Sequence, residues 1–229
     1  MKNFLCAVVS LICLSHTLLS QNESNNIYTE KQVADILDNY YTDRNTEDIC
    51  KLIRSIDVMG ITEESNASPP IMGFFVPIFC DSNVNSTELK NTISKLTTSK
   101  SFFEGILKST EKKVNALLMI EQHYPYWNDV MWGAYYSTGD NRYLAKLVSQ
   151  LSFCNRTDSV MLLLTGLTAK WSLCSNAKKL PPIKEYLKSE LPKSSKEINE
   201  IITDILLLSP GEIKEQMEER VKQLKGQLK

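Results

Sequence analysis

Apolar residues recur at three- and four-residue spacing along almost the whole chain, the period of one helix face. In 101–122, Phe103, Ile106, Leu107, Val114, Leu117 and Leu118 share a face; in 142–153, Tyr143, Leu144, Leu147, Val148 and Leu151 do. Hydroxyl-bearing residues stand three positions before Glu or Gln at Thr29–Gln32, Ser101–Glu104, Ser194–Glu197 and Ser209–Glu212. At that spacing the hydroxyl accepts from the N3 amide while the longer side chain reaches back to the cap. Pro210, and Pro181-Pro182 before Ile183, suit first-turn positions, where a missing N–H costs nothing. These signals predict helices over 30–41, 46–58, 71–80, 87–97, 102–122, 128–138, 141–153, 158–174, 182–190, 196–208 and 211–227, with 61–70 as the clearest loop. The run Ile71–Phe79 is continuous enough to be a buried strand, and Pro77 would kink a helix; a repeat keeps it helical.

That repeat appears when the sequence is shifted by 95 positions. Residues 39–53 fall on 134–148, so that Tyr40-Tyr41 meets Tyr135-Tyr136, Lys51-Leu52 meets Lys146-Leu147, and the apolar positions agree. Weaker echoes run from Ile78-Phe79 to Leu96 and from Trp171 to Leu187. Each unit is an apolar helix, a polar turn and a second amphipathic helix. Such a unit cannot bury its own face, and stacked neighbours are needed to build a core. The expectation is an all-α protein of one domain.

Composition narrows the function classes. Of 229 residues, 42% are hydrophobic and 23% charged, and Gly and Pro number only 8 each, which excludes collagen-like and disordered chains. A formal net charge of −1 leaves no electrostatic footprint for nucleic acid. Met1-Lys2-Asn3 followed by an apolar run to Leu19 reads as a secretory signal, too short for a confident membrane span. Cleavage after Ser20 leaves a polar tail, 21–29, a helical-repeat domain, 30–191, and C-terminal capping helices, 192–229. An uncleaved anchor, the only membrane contact expected, and a lipoprotein through Cys13 are the alternatives. Four N-x-[ST] sequons, at Asn22, Asn66, Asn85 and Asn155, are little more than chance supplies, so export to a bacterial periplasm or beyond the cell is favoured over a eukaryotic secretory route.

The segment Trp132-Gly133-Ala134-Tyr135-Tyr136-Ser137-Thr138-Gly139-Asp140 resembles the turn region of a tetratricopeptide repeat, in Tyr135-x-x-x-Gly139-Asp140. Asn141-Arg142-Tyr143 departs from it, standing where that family has one aromatic, and the regular period of about 34 residues is absent. Trp132 with Thr138-Gly139-Asp140, and Ala169-Lys170-Trp171-Ser172-Leu173, also resemble small exported bacterial proteins with divergent helical repeats. The resemblance implies an irregular right-handed stack of helical hairpins, a tetratricopeptide-like α-solenoid, that binds a protein partner on its concave face.

Candidate chemistry is sparse. His123 is the one histidine outside the leader; it is either a base near Glu121 or Asp129 or a helix-end residue placed against the helix dipole. The aromatics Tyr124, Tyr126, Trp127, Trp132, Tyr135, Tyr136 and Tyr143 either pack between hairpins or form a groove wall for a partner; the first six are the binding candidates. Cys50, Cys80, Cys154 and Cys174 remain after signal removal. Cys154 and Cys174 at opposite ends of one helix would stand roughly 24 Å apart, too far to bridge. Cys50 and Cys80, at one end of a predicted hairpin, form the favoured disulfide, worth about 3 kcal/mol; the alternative is four buried thiols. No metal or cofactor set is expected. The last helix carries Ile213, Met217, Val221, Leu224 and Leu228 on one face, either to cap the array or to dock in a partner's groove. The favoured function is a non-enzymatic interaction or assembly module of the bacterial envelope. A secreted factor acting on host proteins and an exported glycan-active enzyme or binder, using Glu121, Asp129 and Asp140, are the alternatives.

Overall fold

The computed structural model describes residues 27–42, 48–110 and 116–227. Among them the chain forms eleven α-helices and no strand. It divides into two compact units. One comprises the described residues up to Ile120 together with Asp129–Asp140; the other comprises Glu121–Asn128 and the residues from Asn141 onward.

In the first unit, α1 (Glu30–Asn39) starts where its sequence signal places it. Thr29 accepts from the amide of Gln32, and the Gln32 side chain accepts from the amide of Thr29 at 2.9 Å. Helix α2 (Ile49–Val58) buries Ile49, Leu52, Ile53 and Ile56, a three-four spacing. Helix α3 (Ser68–Cys80) begins on Pro69 and Pro70 and is apolar all round, burying Phe74, Phe75, Ile78 and Phe79. Pro77 lies inside it, so the Gly73 carbonyl lacks its usual helical donor. The ambiguous apolar run is therefore helical. Asn85 caps α4 (Ser86–Ser94), accepting from Thr87 and Glu88. Helix α5 (Lys100–Ser109) brings Phe103 to Phe75, ring centroids 5.1 Å apart and edge on.

The start of α5 depends on a residue far away in sequence. The buried Asp57 carboxylate accepts from the amides of Thr97 (3.0 Å), Thr98 (2.8 Å) and Ser99 (2.5 Å), and from the Thr97 hydroxyl. The predicted helix 102–122 is not continuous. It ends at Ser109, and a 3₁₀ turn, Ala116–Leu118, follows beyond residues that are not described. The Ser109 and Thr110 hydroxyls both donate to the Ile106 carbonyl, at 2.7 and 3.0 Å, offering the backbone an alternative to another turn.

Helix α6 (Pro125–Thr138) contributes its residues from Asp129 onward to this unit. It crosses α3 through two glycines. A Cβ on Gly73 would overlap the carbonyl of Val130, and a Cβ on Gly133 would overlap the carbonyl of Pro70. The helix closes on Gly139 at φ 67°, whose amide donates to the Tyr135 carbonyl at 2.7 Å, an end that favours glycine. The two copies of the 95-residue repeat meet here: the Tyr41 amide donates to the Tyr136 carbonyl at 3.1 Å, and the Tyr41 and Tyr135 rings lie 5.7 Å apart.

The second unit is arranged around α8 (Val160–Ala177), which packs against α7 (Asn141–Gln150), α9 (Pro181–Glu190), α10 (Lys196–Leu207) and α11 (Pro210–Gln227). Gly166 lets the turn at Phe153-Cys154 approach; a Cβ there would lie 2.5 Å from the Cys154 nitrogen. Leu163 and Leu167 of α8 form a cluster with Leu224 of α11, flanked by Val160, Met217 and Val221. The predicted face of the last helix is thus the one that docks on α8, with Leu228 outside the described residues. Lys178 donates to the Leu206 carbonyl at 2.7 Å and finishes α10.

Candidate functional site

The six candidate aromatics separate by burial. Trp127, Trp132, Tyr135 and Tyr136 are core residues, with Trp132 and Tyr135 each 1% exposed. Trp132 packs edge on to Tyr135 at 6.1 Å. Side chains so enclosed cannot line an open groove, which corrects the expectation for these four. Burial pushes the Tyr135 hydroxyl up to about 12, with Tyr41 adding to the shift. Tyr124 and Tyr126 differ. They are 45% and 47% exposed, and their rings stack nearly parallel, 11° between planes and 5.6 Å between centroids. Pro125, between them, opens α6. Trp127 lies edge on to Tyr126 at 6.4 Å and supports the pair from the core side.

His123 is fixed beside them by structural bonds. Its Nδ1 lies 3.1 Å from Gln150 Oε1, its ring is edge on to Phe153 at 4.8 Å, and its carbonyl accepts from the Thr165 hydroxyl. It precedes the N-terminus of α6, so the expected placement against a helix C-terminus does not arise; the helix that would have ended there stops at Ser109.

Comparison of the chain with protein-family models, curated proteins and solved structures finds no match.

The predicted Cys50–Cys80 bridge is not formed in this structure. Helix α2 packs on α4 rather than forming a hairpin with α3, and the Cys50 thiol meets Thr92 and Glu88. Burial pushes the thiols of Cys50, Cys154 and Cys174 up, Cys154 to about 12, so they are not thiolates near neutrality.

Of the candidate carboxylates, Asp129 stands out. Burial alone pushes its carboxyl up to about 7, a range suited to proton transfer. Glu121 is exposed and belongs to the other unit.

The clefts among the described residues include three of note. One of about 270 Å³ between α1 and α2 has Ile36, Tyr40 and Leu52 as its apolar floor. A second, of about 430 Å³, is lined by Asp57, whose carboxylate is already committed to α5. The third, about 270 Å³ in the second unit, is strongly polar and was missed by sequence reasoning. It is lined by Lys170 of α8, Glu197, Glu200 and Asp204 of α10, and Gln216 and Arg220 of α11. Lys170 is 8% exposed; its ammonium donates to Asp204 Oδ2 at 2.7 Å and Gln216 Oε1 at 3.2 Å. The signal available was one lysine within the apolar stretch Leu162–Leu173.

Proposed function

We propose that this chain is an exported protein-interaction or assembly module of the bacterial envelope, its helical hairpins stacked as a right-handed, tetratricopeptide-like array. The partner is a protein segment held against Tyr124 and Tyr126. The observation that carries this reading is the stacked pair itself: two large, flat side chains kept side by side and half in water. Tyrosine has few torsions to immobilise and presents an apolar face with a polar tip, which is why it recurs at binding hot spots. Trp127 and the His123 carbonyl bond to Thr165 hold the backbone of the pair in place, so little ordering is left to be done on binding.

Affinity isolation of the tagged protein from crosslinked cells tests this. One partner is expected with the natural chain, at least tenfold depleted in a Tyr124→Ser/Tyr126→Ser variant that keeps its helical spectrum. Equal recovery with both chains defeats the proposal. Export is tested by fractionation and by N-terminal sequencing of the mature chain, expected to begin near Gln21. A second reading, an exported glycan-active enzyme, draws on Asp129, whose carboxyl near 7 suits a general acid. It requires that Asp129→Asn abolish turnover of a cell-wall glycan by the exported protein.

A further inference from the structure

The Lys170 cleft shares no residue with the tyrosine pair, and its polar side chains keep donors and acceptors to spare. An ammonium group has three N–H donors. Lys170 directs two of them to Asp204 and Gln216, and the third has no acceptor among the described residues. Lys170 lines the cleft, so this donor is open to a ligand there.

The other lining groups restrict what that is. Arg220 makes one long contact, 3.4 Å to Gln223, leaving most of its guanidinium donors for the cleft. Glu197 accepts from Asn155 at 2.9 Å and keeps an oxygen in hand. Glu200 makes no hydrogen bond among the described residues, and both glutamates are exposed. The buried Lys170, paired with Asp204, therefore lies deeper in the cleft than the exposed Glu197 and Glu200. A lone cation would meet Lys170, and a lone anion would have to pass the exposed Glu197 and Glu200. A ligand that leads with a carboxylate and carries a positive charge behind it satisfies both ends. Leu167 and Ile201 supply apolar wall for the carbon chain between the two charges. The volume, about 270 Å³, is at the small end of ligand pockets and fits about one residue.

We propose that this cleft binds a carboxylate flanked by a cation: the C-terminus of a chain ending in a basic residue, or a free basic amino acid. The carboxylate accepts a hydrogen bond from the third N–H of Lys170 and a pair from Arg220, and the basic side chain lies between Glu197 and Glu200.

Calorimetric titration of the full chain with N-acetyl-glycyl-lysine, its C-terminal amide and free L-lysine tests the assignment. The free-acid dipeptide is expected to bind and the amide at least tenfold more weakly, because the amide lacks the charge that Lys170 and Arg220 recognise. Arg220→Ala and Glu200→Gln, one at each end of the bound ligand, should each weaken the free-acid dipeptide about tenfold. Lys170→Met should abolish binding if circular dichroism shows it folded; if it does not fold, the other two variants decide. Dipeptide tighter than lysine identifies a chain terminus, and the reverse identifies the amino acid. No binding of either at millimolar concentration, equal binding of the amide, or natural affinity in both the Arg220 and Glu200 variants overturns the proposal. None of these outcomes touches Tyr124 or Tyr126, so this cleft and the tyrosine surface stand or fall separately.

Discussion

Three glycines show how one missing carbon sets the distance between helices. Gly73 and Gly133 face each other's helices across the α3–α6 crossing, and a methyl group at either would collide with backbone, which cannot rotate away. Gly105 sits in α5 with nothing within 4 Å of where its Cβ would be. The same substitution should therefore have opposite signs. Gly73→Ala or Gly133→Ala should destabilise by about 3 kcal/mol or more, as overpacking against a rigid neighbour does. Gly105→Ala should stabilise by about 0.5–1 kcal/mol, by reducing the freedom of the unfolded chain. Urea midpoints at constant slope measure both. A neutral Gly73→Ala would mean that α3 and α6 do not cross this closely.

At the scale of elements, the last helix offers the cleanest measurement. Leu224 is buried against Leu163 and Leu167, whereas Leu207, also in a helix, is 76% exposed. Leu224→Ala should cost about 2–4 kcal/mol and Leu207→Ala less than about 0.5 kcal/mol, read by thermal or urea unfolding. The face that makes this contact was legible, because Ile213, Met217, Val221 and Leu224 fall at helical spacing within the segment itself. So were the starts of α1 and α11, where Thr29 with Gln32 and Ser209 with Glu212 make both bonds of the capping box. The boxes at Ser101 and Ser194 were misplaced. Helix α10 is capped by Ser195, one residue on. The amides before α5 are taken by Asp57, about 40 residues upstream, and no local pattern carries that information. The predicted bridge failed for the same reason: it assumed that neighbours in sequence pair in space, while α2 chose α4. Lys170 was visible as a lysine among leucines, but its partners Asp204 and Gln216 lie 34 and 46 residues away.

For the molecule as a whole, the 95-residue repeat survives as a burial pattern: Ile49 and Leu144, Leu52 and Leu147, Ile53 and Val148, Ile56 and Leu151 are all buried. What composition hid was the division into two units, which falls inside α6 between Asn128 and Asp129, with no glycine- or proline-rich linker to mark it. Asp57 and Asp129 both belong to the first unit and oppose one another as pH changes. Burial raises the Asp57 carboxyl, but bonds from Ser99, Thr97 and Thr98 outweigh it and hold the group below the usual carboxylate range. Its stabilisation is complete above the unfolded value, 3.8, and is lost as pH falls through the folded one. Asp129 has the reverse sign. Folded, it holds its proton up to about 7; unfolded, it releases it near 3.8. Between those values the folded state binds more protons, so stability declines as pH rises and levels off above 7, a loss of a few kcal/mol. With both groups releasing their proton near 3.8 in the unfolded chain, the first unit should be most stable close to that value and lose stability from there towards pH 7. The fluorescence of Trp132, isolated by changing Trp127 and Trp171 to Phe, reports its urea unfolding across pH 3–8. Asp57→Asn should flatten the acid limb and Asp129→Asn the neutral one, the second variant being the more stable at pH 8. A profile that keeps rising from pH 4 to 7 in the parent, or an Asp129→Asn variant weaker than the parent at pH 8, would show that Asp129 is ionised and solvated in the folded chain.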